Sequence, residues 1–340
     1  MAAELSGLFN RKDDGPRQII VDSILLIRGA YMKWLIGIDG GGTKTVGFAA
    51  SLDGTVLGRV EYGPANYHTV GTAAVGTVVI AIAEALSRQC VLAMADLRLI
   101  CLGLAGADSP LDCQILRQSL AACLDSPFVL YSDAQIALAA GLGKPEGIVL
   151  IAGTGSIAYG IDAAGRSVRA GGWGQLASDE GSGFAIGRAA LRAAIRAAEQ
   201  RAPQTVLLPM ILDWYGLKNW DELIVFINNY NTGKAKIAEL AKVTAEAAEA
   251  GDGVAAGILC SAGDELAGLV LSVINRGFSA QSAIKVCTYG SIINKIVPVR
   301  RQTCATLAGR AELTAPEREP AEGALLLGIQ YLQGEGCFAD

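Results

Sequence analysis

The chain has 340 residues, 51% of them apolar and only 6% aromatic, with 42 glycines, a net charge of −5 and one histidine, His68. That length suits two domains of ordinary size, and the Ala/Val/Leu/Ile excess with many glycines suits an α/β protein with tight strand–helix turns. The acidic balance argues against nucleic acid or an anionic membrane as main partner, a single histidine against a His-based metal site or a Ser-His-Asp triad, and apolar runs shorter than roughly 18 residues against a membrane span.

Residues 1–31 hold a charged patch, Arg11 to Arg17, and then a short apolar run. They read as an N-terminal extension dispensable for chemistry, with a compact domain beginning near Met32. Next comes Trp34-Leu-Ile-Gly-Ile-Asp39-Gly40-Gly41-Gly42-Thr43-Lys44-Thr45. Leu35 to Ile38 reads as a buried strand ending on a carboxylate, three glycines and hydroxyl residues. Without a Cβ, glycine lets backbone N–H groups approach a ligand closely. Such a turn can face phosphate oxygens, with Thr43 and Thr45 adding hydroxyl donors. Asp39 would repel phosphate unless a cation lay between them, which suggests Mg²⁺. A Gly-Gly turn is also ordinary hairpin chemistry, so this stretch alone leaves both readings open. It matches neither the P-loop nor the dinucleotide fingerprint.

Val46 to Ala50 and Thr55 to Val60 read as a hairpin over Asp53-Gly54. A polar loop, Gly63 to His68, leads to a long helix over residues 72–95. Leu99 to Leu104 is expected as a strand ending in Gly103-Leu-Ala-Gly106. Ser109-Pro110 opens a helix to about residue 123. Phe128 to Tyr131 is a further strand ending in Ser132-Asp133, and its helix runs to about Leu142. A second unit then opens like the first. Gly147 to Ala152 reads as a strand, Gly153-Thr154-Gly155-Ser156 as a glycine-hydroxyl turn, and Ile157 to Ile161 as another strand. The two turns lie roughly 110 residues apart, which suggests two related halves gripping one phosphate chain.

Ser167 to Ala170 is a candidate short strand. The loop from Gly171 runs into a helix to about Glu199, with Ser178 or Asp179 as its cap. Residues 204–275 read as mostly helical, and Ala262-Gly263 falls in the last of these helices. Lys285 to Thr288 reads as a strand, after which Gly290-Ser291 starts a short helix. Residues 309–322 are charged and Pro-bearing and read as a surface connection, and Ala321 to Leu332 as a final helix. The eight cysteines form no Cys-x-x-Cys pair. They read as reduced, buried thiols of a cytoplasmic protein.

Asp39, Asp108, Asp133 and Asp179 each end a strand or open a helix beside glycine. Capping is the ordinary use of such residues. Asp133 stands out because it ends a buried strand, and ligand sites in α/β sheets lie at the carboxyl ends of strands. Phosphoryl transfer to an alcohol needs a phosphate cradle, a metal and a carboxylate that takes the hydroxyl proton. Two glycine-hydroxyl turns, Asp39 and Asp133 supply these parts. Asn66, Asp133 and Asp179 could also hydrogen-bond a sugar.

Six separated motifs stand in order: Asp39-Gly-Gly-Gly-Thr43, Gly103-Leu-Ala-Gly106, Ser132-Asp133-Ala134, Ile151-Ala-Gly-Thr154-Gly-Ser156, Gly171-Gly-Trp-Gly174 and Asp179-Glu-Gly-Ser182. Over residues 32 to 333 they resemble the BadF/BadG/BcrA/BcrD ATPase family, and within it N-acetylglucosamine kinases. The resemblance implies an α/β fold of two ribonuclease-H-like, actin-like ATPase domains with an ATP/sugar cleft between them. The domains would be 32–143 plus 321–340, and 144–320. It implies ATP and Mg²⁺ as cofactors, Asp133 as catalytic base and Asp39 as the metal residue. Gly41, Gly42, Thr43, Thr45, Thr154 and Gly155 would meet ATP phosphates, and Ala262, Gly263, Gly290 and Ser291 the adenosine. Asn66, Ser156, Gly172, Trp173, Gly174 and Asp179 would bind the sugar, and the final helix would return to the first domain.

The expected reaction is phosphorylation of N-acetylglucosamine to its 6-phosphate, in a homodimer with no nucleic-acid or membrane partner. One departure stands out. The family's mammalian-type Asn-His-Trp loop is here Asn66-Tyr67-His68, which opens glucosamine and N-acetylmuramic acid as alternatives. Another alternative is the family's iron–sulfur branch, the ATP-driven activators of acyl-CoA dehydratases and reductases. That branch needs cluster-ligating cysteines, and the turn at Ile151 to Ser156 has none. A sugar-sensing regulator would bind without turnover, but no DNA-binding motif is evident.

Overall fold

The computed structural model describes residues 32–229, 232–278 and 284–334. The expected extension over residues 1–31 lies outside them. The chain divides into two compact units, residues up to Asp133 with those from Leu327 on, and Ala134–Leu326. The helix after Asp133 thus counts with the second unit.

The first unit is built on one five-stranded sheet. β1 (Trp34–Gly40) is apolar from Trp34 to Ile38, where both its faces are covered. It turns back antiparallel into β2 (Thr45–Ser51), which pairs with β3 (Val56–Tyr62). α1 (Tyr67–Val70) and α2 (Thr72–Cys90) then cross to β4 (Leu97–Leu104), parallel to β1. α3 (Pro110–Ala121) leads to β5 (Phe128–Ser132), parallel to β4. The strand order is β3-β2-β1-β4-β5. Ile36, Ile38, Leu102 and Leu104 from the sheet meet Val75, Val79, Ile82 and Leu86 of α2 in one core. Ser109 caps α3 as its sequence predicts, accepting from the Asp112 N–H at 3.1 Å.

The second unit opens on α4 (Asp133–Leu142) and repeats the plan. β6 (Gly147–Ala152) turns back into β7 (Ser156–Ile161) and β8 (Ser167–Gly171), both pairings antiparallel. The connection to the next strand carries α5 (Gly183–Ala198), α6 (Leu207–Tyr215), α7 (Trp220–Asn228), α8 (Lys234–Glu249) and α9 (Gly253–Gly277). β9 (Ile284–Tyr289) returns parallel to β6. After α10 (Ser291–Lys295) and α11 (Val297–Leu307), β10 (Ala311–Thr314) pairs parallel with β9. The order β8-β7-β6-β9-β10 matches the first sheet strand for strand. Two copies of one ribonuclease-H-like sheet are therefore present, as the paired turns imply. α12 (Pro320–Leu332) is the last element among the described residues, and from Leu327 on it belongs to the first unit, where Gly328 stands against Leu35 and Cys101.

Three expectations need correction. Residues 309–322 are not all surface connection, since β10 lies among them. α11 is a helix that the reading passed over, with a proline in its first turn. The thiols are not uniformly buried: Cys101 and Cys287 are, whereas Cys123, Cys260 and Cys304 are exposed. Two helices, α2 and α9, are long and apolar enough to cross a membrane by length and composition. Each instead lays buried residues into the core of its own unit.

Candidate active site

In the first unit the carboxyl ends of β1, β4 and β5 lie side by side. Asp39 pairs in register with Gly103, and Leu104 with Ser132, the residue before Asp133. Asp133 thus stands two strands over from Asp39 and two residues further along the chain direction of the sheet. Both are half-buried. The turn between β1 and β2 closes through the Gly41 N–H on the Lys44 carbonyl at 3.0 Å. Gly42, Thr43 and Lys44 are exposed, and the space where a Gly42 side chain would lie is open. An open turn with one exposed hydroxyl and a half-buried carboxylate beside it suits a phosphate with Mg²⁺, which takes one or two carboxylates and completes its shell with water and phosphate oxygens. Thr45 does not share this exposure. It is fully buried, and its hydroxyl donates to the Gly63 carbonyl at 2.7 Å. Its role is to fasten the loop that follows β3.

That loop carries Asn66. Its side-chain oxygen caps α1, accepting from the His68 N–H at 3.0 Å. Tyr67 is half-buried and its hydroxyl donates to Asp112, so it packs rather than standing in for an exposed ring. That hydrogen bond pushes the phenol up to about 12. Burial raises the Asp112 carboxyl, but hydrogen bonds from Ser109 and Tyr67 outweigh it and hold the group below its ordinary value. His68 Nε2 lies 3.8 Å from the same carboxylate. The Tyr67–Ser109–Asp112 cluster escaped the sequence reading, because nothing local links residue 67 to residue 112.

In the second unit the turn after β6 is braced from three sides. The Gly153 N–H donates across it to the Gly155 carbonyl at 2.9 Å. At the start of α5 the Gly183 and Phe184 N–H groups donate to the Gly153 and Thr154 carbonyls, at 2.8 and 3.3 Å. Gly290 lies against the Ala152–Gly153 peptide, where a Cβ would come within 2.2 Å of the Ala152 carbonyl oxygen. Its φ of 98° also excludes most side chains. Thr154 and Ser291 are exposed.

Ser156 is buried, and its hydroxyl donates to the Glu180 carbonyl at 2.6 Å. It ties two loops together instead of facing a ligand. Asp179 is only 3% exposed and adopts a φ of 71°. It does not cap α5; Ser182 does, accepting from the Ala185 N–H at 3.2 Å. Asp179 Oδ1 accepts from the Ser156 N–H at 3.1 Å, and Oδ2 from Lys234 Nζ at 2.5 Å. Lys234 is absent from the residues the sequence singled out, since 55 positions separate it from its partner.

The loop Gly172-Trp173-Gly174 is open. Trp173 is 66% exposed, with the Arg169 guanidinium 3.8 Å from its ring centroid. Arg169 also donates to the Gly172 carbonyl at 3.3 Å. Ala262 lines a cavity of about 180 Å³ with Gly181, Ile186 and Ile258. Gly263 does not line it; it is pressed against Val299 and Gln302 of α11. A larger cavity of about 480 Å³ lies at the opposite end of the second sheet, by Gly147, Ile161 and Ile284, and holds none of the predicted site residues.

A doubled sheet of this order with glycine-hydroxyl turns defines a class of phosphate-handling proteins. The chain belongs to the BadF/BadG/BcrA/BcrD ATPase family, whose model matches residues 36–328. It is 37% identical over 266 residues to an N-acetylmuramic acid/N-acetylglucosamine kinase of Clostridium acetobutylicum, covering 78% of this chain and 87% of that one. It is 32% identical over 309 residues to an N-acetyl-D-glucosamine kinase of Dictyostelium discoideum, covering 86% and 97%. A solved structure from Chromobacterium violaceum with a provisional N-acetylglucosamine kinase assignment matches at a TM-score of 0.73 and 27% identity, covering 88% of this chain and all 100% of that one.

Proposed function

We propose that the protein is an ATP-dependent amino sugar kinase that phosphorylates N-acetylglucosamine on its 6-hydroxyl. The observation that carries this reading is the convergence, at the carboxyl ends of β1, β4 and β5, of an open glycine turn, Asp39 and Asp133. The two kinases at 37% and 32% identity support it.

Asp133 accepts the proton of the sugar hydroxyl as its oxygen bonds to the γ-phosphorus. The bridging P–O bond breaks and ADP leaves with the electron pair. Thr43, Thr154 and the N–H groups of Gly41, Gly42 and Gly155 donate to phosphate oxygens. Asp39 would hold Mg²⁺, which when bound neutralises charge on those oxygens. Asn66 and the Gly172-Trp173-Gly174 loop orient the sugar. Adenosine binds beside Ala262, Gly290 and Ser291. Thr45, Ser156 and Gly263 are left out of the contact set because their polar groups or space are occupied within the fold. The free described cysteines fit a reducing, cytoplasmic compartment.

N-acetylmuramic acid is a second substrate reading. It is favoured by the name of the Clostridium acetobutylicum relative and by the half-buried Tyr67, whose hydroxyl is engaged by Asp112. ATP-dependent phosphorylation should be measured across N-acetylglucosamine, N-acetylmuramic acid, glucosamine and glucose. N-acetylglucosamine is expected to react well above background ATP hydrolysis. No reaction with any of them would sink the kinase reading.

A further inference from the structure

Asp179 is expected on the sugar, yet both its carboxylate oxygens are taken up inside the second unit. The partner that takes one of them is the informative group. Lys234 is the first residue of α8, and its side chain is 31% exposed while that of Asp179 is 4% exposed. Its ammonium lies 3.0 Å from the point a Cβ on Gly155 would occupy, and Asp179 Oδ1 lies 2.6 Å from the same point. Gly155 therefore leaves room for an ion pair directly behind the glycine-hydroxyl turn. An ammonium has three donors, and one is given to Asp179. The exposed side of Lys234 and the exposed Thr154 border the same turn.

We propose that Lys234 is a nucleotide-phosphate ligand, held by Asp179 beside Gly155 and donating to the phosphate chain seated on Gly153-Thr154-Gly155. The proposal rests on the kinase reading. A charge-assisted hydrogen bond to phosphate is worth roughly 10- to 100-fold in affinity. The carboxylate keeps the ammonium from moving into solvent, so the cation is in place before the nucleotide arrives. Phosphate then adds a second anionic partner without removing the first. The same contact explains why the turn takes Gly at 155 and why an acid is buried at 179.

The test is calorimetric titration of the full chain with adenosine, ADP and ATP in the presence of Mg²⁺. For Lys234→Met, a loss of roughly 10- to 100-fold is expected for ADP and ATP, with adenosine unchanged. Lys234→Arg keeps the charge and should stay within a few-fold of wild type. A Met variant that weakens adenosine as much as ATP, or neither, overturns the proposal. Because the Met change strands a buried carboxylate, Lys234→Met with Asp179→Asn is the second arm. If that double variant binds ATP like wild type, Lys234 acts only by pairing with Asp179 and the proposal fails. A wild-type chain that binds none of the three compounds fails the kinase reading as well, which separates the two outcomes.

Discussion

The turn at Gly41–Lys44 and the turn at Gly153–Ser156 occupy equivalent places in matching sheets, yet they are held differently. The first is spanned by one hydrogen bond, and Gly42, Thr43 and Lys44 face solvent. Its flanking carbonyls, Gly40 and Gly41, hold the Ala105 and Ala65 N–H groups at 2.9 and 3.0 Å and so fix its base rather than its tip. The second is braced by two N–H groups of α5, by Gly290, and by Asp179 on the Ser156 N–H. Preorganised donors cost no reorganisation when a ligand charge arrives, whereas an open tip can adjust to a phosphate and its metal. On the kinase proposal, holding falls to the second unit and chemistry to the first, where Asp39 and Asp133 stand.

The sharpest way to break that division is Asp133→Asn. Loss of general-base help is expected to lower kcat by about 10²–10⁴-fold, with ATP affinity unchanged by calorimetry. A matching fall in ATP affinity would show that the two roles are not separable. Next in size is a pair of glycine substitutions. Gly290→Ala puts a Cβ within 2.2 Å of the Ala152 carbonyl oxygen, at a φ of 98°. It should destabilise by about 1–3 kcal/mol and weaken ATP binding. Gly42→Ala meets nothing within 4 Å and should stay within about 0.5 kcal/mol of wild type. Equal changes in Tm would erase the contrast between a braced and an open turn.

The smallest effect concerns the loop beside the first turn. Asp112 titrates below its ordinary value, so its folded form favours the charged state. The stability it contributes is present above the ordinary carboxylate pKa and is lost as pH falls through the lowered one. Thermal melts of wild type and Asp112→Asn should differ at neutral pH and converge below about pH 4. A difference that persisted unchanged as the pH fell well below about 4 would mean that the carboxylate's charge is not what secures Tyr67 and the Asn66 loop.

Much of this arrangement is legible in the chain. β1 and β6 announce themselves because a short apolar run stops at glycine and threonine, and their common pattern foretells the doubled sheet. Ser109-Pro110 marks the start of α3 for an equally local reason. Other features needed the fold. β10 has four residues in a charged, Pro-bearing stretch, and its place comes from pairing with β9 rather than from an apolar run. The cap of α5 was read as Ser178 or Asp179, but Ser182 takes it while Asp179 turns toward Ser156. Thr45 and Ser156 look like phosphate ligands in a string of letters. Their side chains point inward because alternate residues of a strand face opposite ways, and each begins its strand on the buried side.

The matching strand order also locates where the halves have grown apart. Between β3 and β4 the first unit inserts α1, α2 and a single 3-10 turn (Met94–Asp96), whereas between β8 and β9 the second inserts α5 through α9. These added helices form a hydrophobic core of their own, including Leu191, Leu207, Ile211, Leu223 and Leu240. α5 and α9 also lay residues, among them Ile186, Leu259, Leu266 and Val270, into the core they share with the sheet that carries the turn. Lys234 is one point, beside the Gly183 and Phe184 N–H groups, at which these helices reach the turn after β6. A change in this long connection can therefore reach the turn after β6 through the Lys234 side chain as well as through the backbone of α5.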